Sequence, residues 1–137
     1  MSDISFAAEG VFLDMNYLGC DPNDRGSTRW SVKLVLLHSA GHYTYEANDI
    51  WFEAQMWDDF ASALSSANKV SMKFSDMSDY FILSLKRTPN CVEVYIKVYE
   101  PVNRKDSMKL DVQLETEIDA DFIGKLDSAF ESFPKPW

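Results

Sequence analysis

The fold is decided by residues 48–68, which read NDIWFEAQMWDDFASALSSAN. The first part, DIWFEA, is rich in the β-branched and aromatic residues that favour an extended strand. From Gln55 onwards the apolar period changes, and Met56, Phe60 and Leu64 recur at four-residue intervals. That interval places them on one face of a helix. We therefore predict a strand that passes directly into an amphipathic helix, with its aromatic side chains in the hydrophobic core and not in a ligand cage.

A second helix is predicted near the end of the sequence, where Ile118, Phe122 and Leu126 repeat the four-residue interval. Asp119 and Thr116 are both candidates for its N-cap, because side-chain oxygens of these residue types accept hydrogen bonds from the first helical N–H groups. The segment FPKPW, which contains two prolines, is expected to end the helix.

Most of the remaining sequence alternates apolar and polar residues, which is the period of a half-buried strand. The clearest examples are CVEVYIKVYE (91–100) and SMKLDVQLET (107–116), and the same alternation occurs in RWSVKLVLLH (29–38) and YFILSLKR (80–87). These strands are predicted to turn one apolar side towards the helices. The predicted inner face includes Leu83, Leu85, Val92, Val94, Ile96, Leu110 and Val112.

The connections between the predicted strands are mostly short. Segments such as HSAGHY (38–43) and RTPN (87–90) imply antiparallel pairing, because a parallel crossover takes about a dozen residues or more. EPVNRKDS (100–107) is predicted to be a longer polar loop. GCDPNDRGST (19–28), which is rich in turn-forming residues, is predicted to be an irregular surface loop.

The predicted fold class is α+β, with an antiparallel, strongly twisted sheet of about seven to nine strands and two helices packed on one face. The sequence has 137 residues, a length that indicates a single domain over residues 1–137. A domain of this length buries enough surface to fold without a disulfide or a metal ion.

The net charge of −9 argues against nucleic-acid binding, because phosphate recognition depends on clustered Lys and Arg. No apolar run approaches ~18 residues, so no segment is predicted to cross a membrane. MSDISFAAEG (1–10) lacks the features of a secretory signal, and Cys20 and Cys91 match no metal-binding spacing. We predict a cytoplasmic protein with both thiols reduced, although the sequence leaves a Cys20–Cys91 disulfide open.

Candidates for catalysis are few. His38 and His42 flank a predicted turn, and neither has a Ser or Cys nucleophile beside it in a recognisable motif. Asp76 and Asp79 bracket DMSD, which is predicted to be a turn and not a calcium loop, because it lacks the glycine and the closing glutamate of such a loop. We predict no catalytic residue, no cofactor site and no metal site, and therefore no enzyme.

The polar sides of the two later strands remain as candidates for function. They combine tyrosines with charged residues, which is a composition found on solvated sheet faces and also one in which protein interfaces are enriched in tyrosine. A solvated face without a partner is the alternative. The candidate partner-binding residues are Glu93, Tyr95, Tyr99, Asp111 and Glu115.

The order of these features resembles that of small bacterial immunity proteins of the WapI-like type. The resemblance begins with GCDPNDRGSTRWSVKLVLLHSAGHYTYEANDIWFEAQMWDDFASAL (19–64), continues through SDYFILSL (78–85) and CVEVYIKVYE (91–100), and ends with DADFIGKLDSAFESF (119–133) and Trp137. It follows hydrophobic spacing and length, so it assigns no role to an individual residue. The resemblance implies a non-enzymatic cytoplasmic protein that binds and blocks a cognate toxin domain.

The expected partner is therefore a protein, such as a basic toxin domain. Many delivered toxins are nucleases, and an acidic inhibitor would be steered towards the basic surface that a nuclease presents to phosphate. Two alternatives stay open. One is a domain that binds a small molecule or a peptide, which a deep apolar pocket would favour. The other is a structural subunit of a larger assembly.

Overall fold

The computed structural model describes residues 3–21, 23–100 and 110–137. Residues 101–109 lie outside the described residues, and they include most of the predicted EPVNRKDS loop and the start of the predicted SMKLDVQLET strand. In chain order the elements are β1 (Ile4–Ala8), β2 (Val11–Asp21), β3 (Asp24–His38), β4 (Gly41–Glu53), α1 (Ala54–Ser65), β5 (Ser71–Ser75), β6 (Phe81–Arg87), β7 (Val92–Glu100), β8 (Leu110–Ile118) and α2 (Asp121–Ser132).

The described strands form two antiparallel meanders of four strands each. Sheet A has the order β1-β2-β3-β4, and sheet B has the order β5-β6-β7-β8. The predicted α+β class, with antiparallel pairing and two helices, is confirmed in the described residues, and their eight strands fall within the expected number. The strands divide between two sheets where one was expected, because α1 carries the chain away from β4 before β5 begins.

The strand β4 passes into α1 without an intervening residue, since the strand ends at Glu53 and the helix begins at Ala54. Trp57 of the helix and Phe52 of the strand are fully buried. Trp51 lies on the opposite side of the strand from Phe52 and is half-buried. The predicted change from strand to helix is confirmed, and so is the placement of most of its aromatic residues in the core.

The indole of Trp57 joins the layers of the fold. Its ring centroid lies 4.6 Å from that of Trp30 in sheet A, 5.6 Å from that of Phe74 in sheet B and 4.3 Å from that of Phe130 in α2. Phe52 and Phe74 stack across the two sheets at 4.4 Å. Aromatic pairs of this kind each contribute about 0.5–1.5 kcal/mol beyond the burial of their area. One buried cluster therefore includes side chains of both sheets and both helices.

The helix α2 packs on β1, where the rings of Phe6 and Phe122 meet edge to face at 4.6 Å. The Asp119 carboxylate accepts the N–H of Asp121 at 3.0 Å at the start of this helix. The N-cap residue of α2 is Ala120, and Thr116 lies within β8, so neither predicted residue occupies the N-cap position. Among the described residues, neither helix has the length and the apolar character needed to cross a membrane.

Arg87 connects the end of β6 to the C-terminus of α1. Its guanidinium donates hydrogen bonds to the carbonyl oxygens of Leu64 at 2.8 Å and Ser66 at 2.9 Å. Carbonyl groups at the end of a helix have no donor within the helix itself. A residue of sheet B therefore satisfies the last turn of α1 and holds the helix and the sheet together.

The prediction of an irregular surface loop at 19–28 is wrong for most of these residues. The strands β2 and β3 extend through this segment, to Asp21 and from Asp24, and these two residues pair with each other. The Asp21 carboxylate accepts the N–H of Asn23 at 2.8 Å. The β2–β3 pairing contains two register shifts within residues 17–21, and such bulges allow residues that favour turns to stay within a ladder.

The predicted inner face of sheet B is confirmed where the side chains are described. Val112 is partly buried, because it lies on the edge strand β8. The Leu110 side chain lies outside the described part of the chain. The buried members of the predicted face are Leu83, Leu85, Val92, Val94 and Ile96.

Replacing Val94 by Asp should lower the free energy of unfolding by more than about 4 kcal/mol, because it places an unpaired charge in the core. Val94 is only 2 % exposed. Gln113→Asp, at an exposed position of the neighbouring strand, is the control and should change stability by less than about 0.5 kcal/mol. Urea unfolding measures both variants. Equal midpoints for Val94→Asp and the wild type would contradict the inward orientation of this residue.

Candidate partner-binding surface

The five candidate residues lie together on the outer face of sheet B, which is the side turned away from the core. Glu93, Tyr95 and Tyr99 come from β7, and Asp111 and Glu115 come from β8. The strand pairing places Tyr95 opposite Glu115 and Tyr99 opposite Asp111. The two-residue period therefore predicted their common face. Their binding of a partner stays a prediction.

An open groove of about 740 Å³ crosses the outer face of sheet B. Glu93, Tyr95 and Glu115 line it, whereas Tyr99 and Asp111 lie beyond its lining. The sequence analysis missed half of the groove, although the alternation within β5 and β6 turns the same kind of polar residue outwards. The outward side chains that it missed are Ser71, Lys73, Ser84, Lys86 and Glu117.

The groove has a basic half and an acidic half. Lys73 of β5 and Lys86 of β6 stand on one side. Glu93 of β7 and Glu115 and Glu117 of β8 stand on the other. Within the described part of the chain, no ion pair at 4.0 Å or less involves any of these five residues. Their charges are therefore available to a second molecule.

Glu93 and Glu117 are direct neighbours across the β7–β8 pairing. Like charges at directly opposite positions destabilise a sheet, because the Cβ atoms of such a pair lie about 4.5–5.5 Å apart. Lys86 of β6, the other neighbouring strand of β7, is paired with Glu93. The two residues nevertheless form no ion pair. The repulsion between Glu93 and Glu117 is unfavourable in the isolated sheet, and a cation from a partner would reduce it.

Two tyrosines add aromatic surface to this face. Tyr95 is half-buried between Ser84 of β6 and Glu115 of β8 in the strand pairing. Further along β7, the Nζ atom of Lys97 lies 5.0 Å from the centroid of the Tyr99 ring, which is a cation–π distance. Tyrosine is enriched in protein interfaces because its large ring combines apolar area with a polar group.

The two histidines and the two cysteines form no catalytic group with one another. His38 and His42 are exposed around the β3–β4 turn, and Nδ1 of His38 accepts the N–H of Ala40 at 3.2 Å. Cys20 is exposed and Cys91 is half-buried, and both are free thiols. In the part of the chain that the structure describes, no three His, Cys, Asp or Glu side chains form a group that could hold a metal ion.

Asp76 is a buried turn residue between β5 and β6. Its carboxylate accepts the N–H of Phe81 at 2.8 Å and that of Ser78 at 3.2 Å. Asp79 in the same turn has a φ of 56°, a left-handed conformation that Asp adopts more readily than most residues. The predicted turn is confirmed. Burial raises the pKa of the Asp76 carboxyl group above its usual value, and the two N–H donors oppose part of that rise.

Comparisons with known proteins give no independent guide to function. No family model, curated protein or solved structure matches this chain. A functional assignment therefore depends on the outer face of sheet B.

The pH dependence of stability should show the burial of Asp76. Because its pKa is higher in the folded state, the folded protein binds this proton more tightly than the unfolded chain. The free-energy cost of burying the ionised Asp76 carboxylate is thus fully present above its folded-state pKa. It disappears as the pH falls below the pKa of this group in the unfolded chain. Unfolding free energies should show the wild type gaining stability relative to Asp76→Asn as the pH falls. Asp79→Asn, at an exposed position, is the control, and parallel profiles for wild type and Asp76→Asn would refute the prediction.

Glu117→Gln should stabilise the protein by up to about 1 kcal/mol at low salt, because it removes the repulsion with Glu93. The gain should shrink as salt screens these exposed charges. Glu115→Gln makes the same change in charge on the same strand, but its cross-strand neighbour is Tyr95, so its effect should be smaller. Urea unfolding at low and high salt compares the two variants, and an equal gain in both would show that the Glu93–Glu117 pair is not the cause.

Proposed function

We propose that this protein is a non-enzymatic, cytoplasmic immunity protein that binds and neutralises a cognate bacterial toxin domain with a basic surface. The observation that carries the proposal is the outer face of sheet B, where carboxylates without an ion-pair partner surround Tyr95 beside an open groove. The resemblance of the sequence to WapI-like immunity proteins supports the same class.

The charge of the chain supports a basic partner. With a net charge of −9, the protein would attract a basic toxin domain over a distance and raise the rate of association. Glu93, Glu115 and Glu117 would then meet Lys or Arg side chains of the toxin. A cation placed near Glu93 and Glu117 removes their mutual repulsion on binding, so this contact gains energy that the free protein lacks.

The basic half of the groove supplies specificity. Lys73 and Lys86 would repel a uniformly basic surface, so a well-matched toxin must present acidic or neutral groups to this side. Discrimination between partners commonly uses such repulsive contacts together with attractive ones. Tyr95, between the two halves, would act as the aromatic anchor that desolvates the centre of the contact. An inhibitor seated in this way blocks the toxin by covering the basic surface that its substrate needs.

Peptide binding is the second candidate, because the groove volume of about 740 Å³ falls within the range of about 300–1,000 Å³ that is typical of ligand sites. Most of the residues that line the groove are charged or carry a hydroxyl group. An extended peptide with charged side chains fits such a lining better than a small apolar ligand. Protection of cells against a toxin would separate the two functions.

The test is co-expression with any toxin domains that are encoded beside the gene. Wild-type protein should restore growth and should co-purify with one toxin as a stoichiometric complex. The double variant Tyr95→Ala/Glu115→Lys should lose protection and bind at least about tenfold more weakly, as expected when an interface anchor is removed.

Glu131→Lys is the control for the proposed face, because it makes the same change in charge at an exposed position of α2. It should protect as well as the wild type. Failure of the wild-type protein to protect against any neighbouring toxin would overturn the proposed function. Full protection by the double variant would instead move the interface away from the outer face of sheet B.

A further inference from the structure

We propose that the outer face of sheet B also binds the same face of a second copy of this chain, and that the free protein forms a weak symmetric dimer. The basis is that the two halves of this face complement each other in charge and in size. An interface related by a two-fold axis uses one patch twice, so the patch must be complementary to itself. The outer face of sheet B meets that condition.

The strand pairing arranges the outward residues in rows that cross all four strands. In the two rows that lie in the groove, the residues from β5 and β6 are basic or small, whereas those from β7 and β8 are acidic or large. The order within a row follows the strand order β5, β6, β7, β8. The two rows in the groove are Ser71–Lys86–Glu93–Glu117 and Lys73–Ser84–Tyr95–Glu115.

A two-fold axis that lies in the interface, parallel to the strands and between β6 and β7, brings complementary residues together. This rotation places β5 of one copy over β8 of the other, and β6 over β7, while each row stays at the same height. Lys73 then faces Glu115 of the second copy, and Lys86 faces Glu93 of the second copy. Because of the symmetry each contact occurs twice, so two opposite-sign contacts become four.

The facing surfaces of the two copies are also complementary in shape. Tyr95 of one copy faces Ser84 of the other, so a large side chain meets a small one. A twisted sheet is saddle-shaped, and rotation by 180° about an axis along its strands reproduces the same saddle. The two sheets can therefore keep a constant separation, as sheets do in aligned face-to-face packing at about 10 Å. The groove at Ser84 is filled by Tyr95 of the second copy.

The size of the face limits the strength of the dimer. Four strands at about 4.8 Å spacing and seven residues at about 3.3 Å give roughly 450 Å² for each face, or about 900 Å² in total. That total is below the roughly 1,200–2,000 Å² of stable interfaces. Two chains of net charge −9 also repel each other. The dimer should therefore form in the upper micromolar range and should depend on opposite charges at the contact.

The dimer does not require that the proposed toxin function be correct, because it is measured without any toxin. If both proposals hold, the toxin and the second copy compete for one face. At low concentration the protein is then monomeric and can bind its toxin. At high concentration it dimerises, and each copy covers the acidic half of the other.

Sedimentation equilibrium at low salt, across the micromolar range of protein, tests the dimer directly. The wild type should show a monomer–dimer equilibrium. Lys73→Glu/Lys86→Glu makes the face wholly acidic at the four contact positions, and Glu93→Lys/Glu115→Lys makes it wholly basic, so each double variant should be monomeric. An equimolar mixture should form a heterodimer, because every contact then joins opposite charges. A monomeric wild type, a dimer that survives in either double variant, or a mixture that stays monomeric would overturn the proposal.

A second pair of variants tests the geometry without changing charge. Ser84→Tyr places two tyrosines against each other across the axis and should abolish the dimer. Ser84→Tyr/Tyr95→Ser exchanges the large and small positions and should restore it, because the facing residues are again unlike. Thermal melts confirm that the variants fold. Dimerisation of Ser84→Tyr at wild-type strength, or failure of the exchanged variant to dimerise, would exclude this axis.

Discussion

The structure depends on the burial of one indole ring, that of Trp57, among rings that belong to three other elements. Sheets A and B are each complete meanders, and each turns an apolar side inwards that it cannot cover alone. Trp57 lies within contact distance of Trp30, Phe74 and Phe130 at once. Because β4 runs into α1 without a connecting residue, the position of that ring is fixed by the strand before it. The outer face of sheet B is in turn held by this core.

Local periodicity predicted the parts of the fold that depend on the pattern of one element. The alternation in CVEVYIKVYE correctly separated Val94 and Ile96 from Tyr95, and the change of period at Gln55 located the start of α1 to within one or two residues. The division into two sheets was not predictable in this way. Which strands pair depends on distant contacts, such as the stack of Phe52 on Phe74, and these leave no signal in the spacing of either strand.

Local periodicity also predicted only part of the candidate surface. The sequence predicted a polar face on β7 and β8, because tyrosines and charges alternate there over long strands. It missed Lys73, because β5 has only five residues and a short alternation is a weak signal. It left out Ser84 and Lys86, although the alternation of β6 turns them outwards, because β6 has no outward tyrosine that would mark an interface. The register that places Glu93 opposite Glu117 depends on the whole β7–β8 pairing. The segment at 19–28 was misjudged for a related reason, since bulges allowed turn-forming residues to remain in strands.

Because Phe122 of α2 packs on Phe6 of β1, the hydrophobic core is incomplete until the ribosome has synthesised α2. Strand β1 emerges first, but the helix that covers it follows both sheets in the chain. Until residues 121–132 leave the exit tunnel, the nascent polypeptide carries an incomplete core with exposed aromatic rings. Such intermediates tend to aggregate and to engage chaperones. Folding of this protein is therefore expected to finish only after translation has passed α2.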